Sequence, residues 1–266
     1  SLDLTPFPEG CAYNTMMIYP RFFCPGPLAV GASVELPENA ARHAARALRL
    51  GAGEWVTLFD GAGGEYEACI AAVRKDAVAV DIRRHDAVER ESALAVTLIQ
   101  ALQSGDKMDL TIQKAVELGV REIRPVASRR SVVRLDGERA GRRTEHWRSV
   151  AASACEQCGR NRVPAVAGIE PLEAALARPA NGALRLMLAP GATCTLDALP
   201  AARQVELLVG AEGGLDSREV AAAQAAGFIG VRLGPRVLRT ETAGLAVMAA
   251  LQALWGDFRN DAAAAA

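Results

Sequence analysis

The hydrophobic pattern changes character near residue 90. Before it, apolar residues fall in runs of strand length, Ile18 to Phe23, Ser33 to Leu36, Trp55 to Phe59, Glu65 to Val73 and Ala77 to Ile82, most of them bounded by turn-forming residues. Gly61-Ala62-Gly63-Gly64 joins two of these runs and signals a hairpin, because glycine reaches positive φ at little steric cost. Asn39 can cap a helix running to about Leu50 and ended by Gly51. The segment reads as a small β-rich module, a barrel.

After the charged stretch Arg83 to Glu91, strands and helices alternate. Leu94 to Leu102 is a continuous apolar run, as a strand buried on both faces requires. Asp106 starts a helix with Leu110, Ile112, Val116 and Leu118 inward, and Gly119 closes it. Strand Glu122 to Ala127, a long basic helix Glu138 to Cys158, and buried strands Leu184 to Leu188 and Val205 to Val209 follow. Alternation of this kind predicts an α/β domain, a mostly parallel sheet with helices on both faces. Ligands of such sheets bind beyond the carboxyl ends of the strands, which points to the segments after Leu188, Val209 and Leu233. The expected organisation is a flexible leader over 1–16, the β-rich module over 17–88, the α/β domain over 89–259 and a disordered tail over 260–266.

Composition narrows the class. Half of the 266 residues are apolar and 23% are charged, which fits a folded globular chain. No run of 18 apolar residues occurs, so no membrane span is expected. The opening segment has neither a basic start nor an apolar stretch and does not read as a signal peptide. With six cysteines and no export signal, reduced thiols in a cytoplasm are expected. Cys155 and Cys158 are close together, but no second Cys or His pair accompanies them, so they are expected to pack and no metal is expected. The net charge of −1 hides a basic cluster: from Arg121 to Arg162 there are eleven Arg and five acidic residues. Such a cluster is either a solvated helix face or the footprint of a phosphate backbone.

Two segments carry candidate chemistry. In Leu207 to Glu219 a buried strand runs into the loop Gly210-Ala211-Glu212-Gly213-Gly214, and Asp216 with Glu219 makes a capping box for a helix. The loop lacks the lysine and hydroxyl of a P-loop, and its glycines let a ligand approach bare backbone. In Val231 to Ala243 a strand breaks at Gly234-Pro235, and Thr240 or Thr242 caps the last helix. Two arginines in that loop meet carboxylates, phosphates or solvent; spacing leaves a ligand site and an ordinary surface connection equally open.

Taken together these segments resemble the knotted SPOUT methyltransferases, and within them the RsmE type, which methylates N3 of a uridine in small-subunit ribosomal RNA. The matching residues are Arg21-Phe22-Phe23, Glu117-Leu118-Gly119-Val120, Glu156-Gln157-Cys158-Gly159-Arg160, Gly210-Ala211-Glu212-Gly213-Gly214 and Leu233 through Ala243. Ala211 stands where this family often has proline, and Pro235 where the residue varies; neither change removes a reactive side chain. The resemblance implies a PUA-like RNA-binding β-barrel at the N-terminus and a trefoil-knotted SPOUT domain after it. It implies S-adenosylmethionine as methyl donor, bound by Leu188, Val209, Gly210, Glu212, Gly213, Gly214, Leu233, Gly234, Arg236, Val237, Leu238 and Thr242, with backbone groups reading the adenine edge and Val209, Leu233, Val237 and Leu238 enclosing the ring.

The implied partner is 16S rRNA within the small ribosomal subunit, with Arg21, Arg129, Arg130, Arg160 and Asn161 as RNA contacts. Uracil N3 is protonated at neutral pH, so Arg239 is the leading catalytic candidate, stabilising a developing anion, and Glu241 or Glu212 is the proton acceptor. The competing reading of Glu212 is a carboxylate that ties its glycine loop together. Other readings are a knotted methyltransferase acting on another RNA such as transfer RNA, and a non-catalytic RNA-binding ribosome assembly factor. The last helix, Ala243 to Trp255, is apolar on nearly every side where a surface helix would be charged on one. A homodimer through this helix is expected, with Met248 and Leu251 in its interface.

Overall fold

The computed structural model describes residues 19–75, 77–131 and 137–259; the expected leader and tail lie outside them. The N-terminal unit comprises β1 (Arg21–Phe23), β2 (Ser33–Glu35), α1 (Glu38–Arg42), β3 (Trp55–Phe59), β4 (Glu65–Val73) and β5 (Val78–Asp86). Its strands form one sheet in the order β1-β3-β4-β5-β2. Register shifts between Glu67 and Ala68 and between Ile70 and Ala72 are irregularities of the kind that bend a strand, and the sheet curls into a half-barrel around Phe22, Leu58, Ile70, Val80 and Ile82. Gly61, Gly63 and Gly64 take positive φ between the antiparallel β3 and β4, as the hairpin reading requires.

The helix expected over 39–50 is shorter and differently made. Pro37, not Asn39, is its N-cap, and after Arg42 it relaxes into a π-helical turn, His43–Ala47, before Arg49 takes φ 56°. Ala40, Ala41 and Ala44 are its buried residues, too small to specify a longer amphipathic stripe.

The second unit contains β6 (Ala95–Ala101), α2 (Lys107–Glu117), β7 (Val120–Ala127), α3 (Gly137–Cys158), β8 (Ala165–Val166), β9 (Glu170–Pro171), α4 (Leu172–Leu176), β10 (Leu184–Leu188), β11 (Gln204–Val209), α5 (Ser217–Ala225), β12 (Ile229–Val231) and α6 (Thr240–Trp255). The sheet runs β12-β10-β11-β6-β7-β8, with β9 also on β7, and every pairing is parallel. Adjacent residues point to opposite faces. Leu98 joins Ile112, Trp147, Val247 and Leu251 under α2, α3 and α6, while Ile99 joins Leu172, Ala223 and Phe228 under α4 and α5. Leu110, expected inward, is 44% exposed; α2 turns Met108, Thr111, Ile112, Ala115 and Val116 to the core instead.

The expected threading is visible at the end of β12. Val231 pairs with Leu188 on one side and bridges Cys194 on the other. The Val231 carbonyl accepts from the Ala189 N–H at 3.0 Å, and the Arg232 N–H donates to the Cys194 carbonyl at 3.0 Å. The connection leaving β10 therefore wraps around the chain that leads to α6, which packs back on α2, β6 and β11. Gly244 permits that close return, since a Cβ there would lie 3.2 Å from Val209 Cγ2.

The two units are joined by a polar clamp. Arg21 donates to Glu65 at 2.5 Å and to Asn161 Oδ1 at 2.6 Å, and Arg90 reaches Glu65 and the Gly159 carbonyl. The Phe23 N–H donates to Glu156 at 2.9 Å. Beside the clamp, and wholly within the second unit, Arg160 is 5% exposed; it pairs with Glu91 and donates to the Val116 and Val120 carbonyls.

Candidate active site

The loops that leave β6, β7, β10 and β11 meet the segment that leads from β12 into α6. The central one, Gly210–Asp216, leaves β11 and is tied to its neighbours from several sides. Glu212 accepts from the Ser104 N–H and hydroxyl at 3.0 and 2.7 Å and pairs with Lys107 at 3.2 Å. Arg130 donates to the Gly213 carbonyl at 2.8 Å. Asp216 and Glu219 form the expected capping box at the start of α5, and Glu219 also accepts from the Arg129 N–H at 2.7 Å. On the inner side, the Thr240 hydroxyl donates to the Gly210 carbonyl at 2.5 Å. Gly210 turns the chain tightly: a Cβ there would stand 3.0 Å from Gly214 C and Leu215 N.

These ties enclose a cavity of about 510 Å³, within the usual range for small-molecule sites. Leu188, Pro190, Val209, Leu215, Val237 and Leu238 give it apolar walls, and Gly210 to Gly214, Lys107, Arg130, Arg239 and Glu241 supply polar groups. Leu233, Gly234 and Arg236 line a smaller adjoining cavity that shares Leu188, Val237 and Leu238. Thr242 lines neither and is exposed on the first turn of α6. Lys107, Pro190, Leu215 and Thr240 belong to the cavity although the sequence reading did not nominate them. Lys107 lies on α2, 105 residues before Glu212, and no local motif connects the two.

The two acidic candidates differ in their surroundings. Burial opposes ionisation of Glu212, but the Ser104 N–H and hydroxyl and the Lys107 ammonium outweigh it and hold its carboxyl at about 2. That is the loop-tying role. Glu241 Oε2 is buried and accepts no hydrogen bond from the described residues. Arg239 is exposed at the cavity rim and is the N-cap residue of α6. No side chain caps that helix, so neither Thr240 nor Thr242 has the expected capping role.

A family model described as an RNA methyltransferase domain matches residues 90–252, and one described as an RNA methyltransferase PUA domain matches 36–83. Ribosomal RNA small subunit methyltransferase E of Buchnera aphidicola is 30% identical over 241 residues, 90% of this chain and 96% of that protein. This chain belongs to the ribosomal RNA small subunit methyltransferase E family. The Neisseria gonorrhoeae member, solved bound to S-adenosyl methionine, is 42% identical with a TM-score of 0.85, covering 91% of this chain and all of that one. A Legionella pneumophila structure described as a methyltransferase in complex with bound cofactor SAM is 37% identical with a TM-score of 0.86, covering 90% and 99%. The fold of this methyltransferase E chain is thus the α/β, knotted SPOUT arrangement with a PUA-like N-terminal unit that the motifs led us to expect.

Of the residues nominated for RNA contact, Arg129 and Arg130 stand beside the glycine loop of this methyltransferase. Arg160, 5% exposed, is held inside the second unit by Glu91 and two carbonyls, and Asn161, 0% exposed, is engaged with the partly buried Arg21 in the clamp between the units. The Arg160 guanidinium and the Asn161 amide are bonded inside the protein, whereas Arg21 Nε is buried with no partner among the described residues. Cys155 is buried against the Arg162 carbonyl at 3.6 Å, and burial pushes its thiol up to about 12, so it packs, as its place late in a helix suggests. Among the described residues no group of three or more His, Cys, Asp or Glu could hold a metal ion, and no helix is long and apolar enough to cross a membrane.

Proposed function

We propose that this chain transfers a methyl group from S-adenosylmethionine to N3 of a uridine in 16S rRNA of the small ribosomal subunit, in the cytoplasm and as a homodimer. The observation that carries the reading is the cavity beyond β10 and β11, with its apolar walls, glycine loop and a buried Glu241 oxygen that has no partner among the described residues. The cavity fits the donor in size and in kind: Leu188, Val209, Val237 and Leu238 would enclose its adenine, and the peptide groups of Gly210 to Gly214 would take its polar edges. When bound, S-adenosylmethionine supplies an electrophilic methyl on a sulfonium.

The chain's own residues then have separate tasks. Glu241 accepts the N3 proton, and Arg239, exposed at the rim, stabilises the negative charge that develops on the uracil ring. Holding donor and base in line supplies much of the remaining acceleration. Glu212 keeps the loop in shape and takes no proton. Arg129 and Arg130 are the RNA contacts retained from the sequence, and exposed Arg139 and Arg142 extend the same charge along α3. Arg143, on that helix, donates to the Gly105 carbonyl at 3.2 Å, so its N-terminal half runs beside the turn that carries Ser104.

The domains that serve these tasks are 17–88 and 89–259. The dimer is supported by α6, whose outer face offers Leu245, Ala246, Ala249, Ala253 and Leu254 partly or fully to solvent. Isothermal titration with S-adenosylmethionine tests the site. Saturable one-to-one uptake by the folded protein is expected; its absence would return the chain to a non-catalytic RNA-binding role.

A further inference from the structure

Behind the cavity, four polar side chains from three elements are withdrawn from solvent: Gln100 (0% exposed), Gln103 (4%), Thr111 (0%) and Thr240 (8%). Buried polar groups persist where they are bonded, and these bonds converge on one atom. Thr240 Oγ1 donates to the Gly210 carbonyl at 2.5 Å and accepts from Gln100 Nε2 at 3.2 Å and Gln103 Nε2 at 3.4 Å. A hydroxyl has one proton and two lone pairs, so the atom is fully used and its proton has one direction.

The two amides are fixed as well. Gln100 Nε2 also donates to the Ala101 carbonyl at 3.0 Å, and Gln103 Oε1 accepts from the Thr111 hydroxyl at 2.9 Å. Turning Gln100 over would set its oxygen against the Ala101 carbonyl. In the observed orientation Gln100 Oε1 is buried without a partner among the described residues, so what this side chain contributes is its nitrogen. The network links the end of β6, the turn into α2 and the start of the glycine loop to the residue between Arg239 and Glu241.

We infer that Thr240 is a positioning residue: its hydroxyl, oriented by Gln100 and Gln103, fixes the first turn of α6, and with it Arg239 and Glu241, against the Gly210 loop. The inference rests on the reading of this cavity as the methyl-transfer site. Thr240 is not needed as a helix cap, since Arg239 occupies that position. Valine has nearly the same shape and would fill the same space, so packing does not explain the hydroxyl. A threonine hydroxyl donating to Gly210 and receiving two amides accounts for it.

The test uses the full chain carrying Thr240→Val, Thr240→Ser or Gln103→Leu. Single-turnover methyl transfer from labelled S-adenosylmethionine to small ribosomal subunits is measured beside donor affinity and thermal midpoint. Thr240→Val should slow transfer about tenfold or more, a larger change than any in donor affinity, and Thr240→Ser should recover to within about threefold of wild type. Gln103→Leu, which keeps the hydroxyl but frees its direction, should fall between them and decides the matter if the valine variant does not fold. Wild-type transfer in Thr240→Val, a serine variant as slow as the valine one, or an unimpaired Gln103→Leu beside an unfolded valine variant overturns the inference while leaving the site intact. A wild-type protein that takes up no donor overturns the reading of the cavity and this inference with it.

Discussion

Glu212 and Glu241 line the same cavity, and only their neighbours separate them. A carboxyl held at about 2 by Ser104 and Lys107 is a poor proton acceptor at neutral pH, because a general base works best with a pKa near the operating pH. Glu241 has one oxygen buried and unbonded among the described residues. Glu241→Gln should therefore reduce methyl transfer by about 10² to 10⁴ with donor affinity retained, whereas Gly210→Ala, whose Cβ meets the Gly214 and Leu215 backbone at 3.0 Å, should lose donor affinity itself. A glutamine variant that transfers at the wild-type rate would move the base elsewhere. Gly213, the obvious glycine to change from sequence, is a poorer probe, because a Cβ there meets the Arg130 side chain at 3.1 Å and not open space. Motif residues with short-range roles, such as Asp216 and Glu219, were legible in the sequence. Arg160 was not, because its meaning depends on Glu91 and two carbonyls supplied by distant segments.

At the scale of elements, buried strands and long helices followed from apolar periodicity, and the misread parts share a cause. The turn after α1 became π-helical and Leu110 turned outward where small or polar residues, Ala44 and Thr111, took the buried positions; pattern reading assigns such positions to large apolar residues. The clamp between units makes a pH prediction. Burial opposes ionisation of Glu65, but hydrogen bonds and charge from Arg90 and Arg21 outweigh it and hold its carboxyl at about 2. The ordinary value is about 4.3. The folded pKa is depressed, so this stabilisation is complete above the ordinary value and is lost as pH falls from there towards 2. Glu65→Gln should melt below wild type at pH 7, and the gap should shrink by pH 3. A gap of constant size across that range would mean the clamp contributes through shape and not charge.

In the whole molecule α6 keeps an apolar outer face, with Leu245, Ala249 and Leu254 partly or fully exposed. The helix is as apolar as the sequence indicated, but Met248 and Leu251 are both fully buried in the core of the single chain, so substituting them would unfold it and report nothing about assembly. Ala249→Glu and Ala253→Glu, on the outer face, are the informative changes. Light scattering should give about twice the 28.0 kDa chain mass for wild type and the single mass for these variants, and a wild-type monomer would remove the dimer. The threaded topology could not have been read from periodicity, since connections in folded chains rarely pass through one another; it came from the resemblance of the two loop motifs.

Methylation at uracil N3 can be measured directly. Small ribosomal subunits from a strain lacking its own methyltransferase E would be incubated with this protein and methyl-labelled S-adenosylmethionine, and the 16S rRNA digested and mapped by mass spectrometry. Label is expected in a single nucleotide, a uridine carrying its methyl on N3, and is expected to be absent when Glu241→Gln replaces the wild type. Label at a carbon or ribose oxygen, on a base other than uracil, or in transfer RNA in preference to the subunit would contradict it.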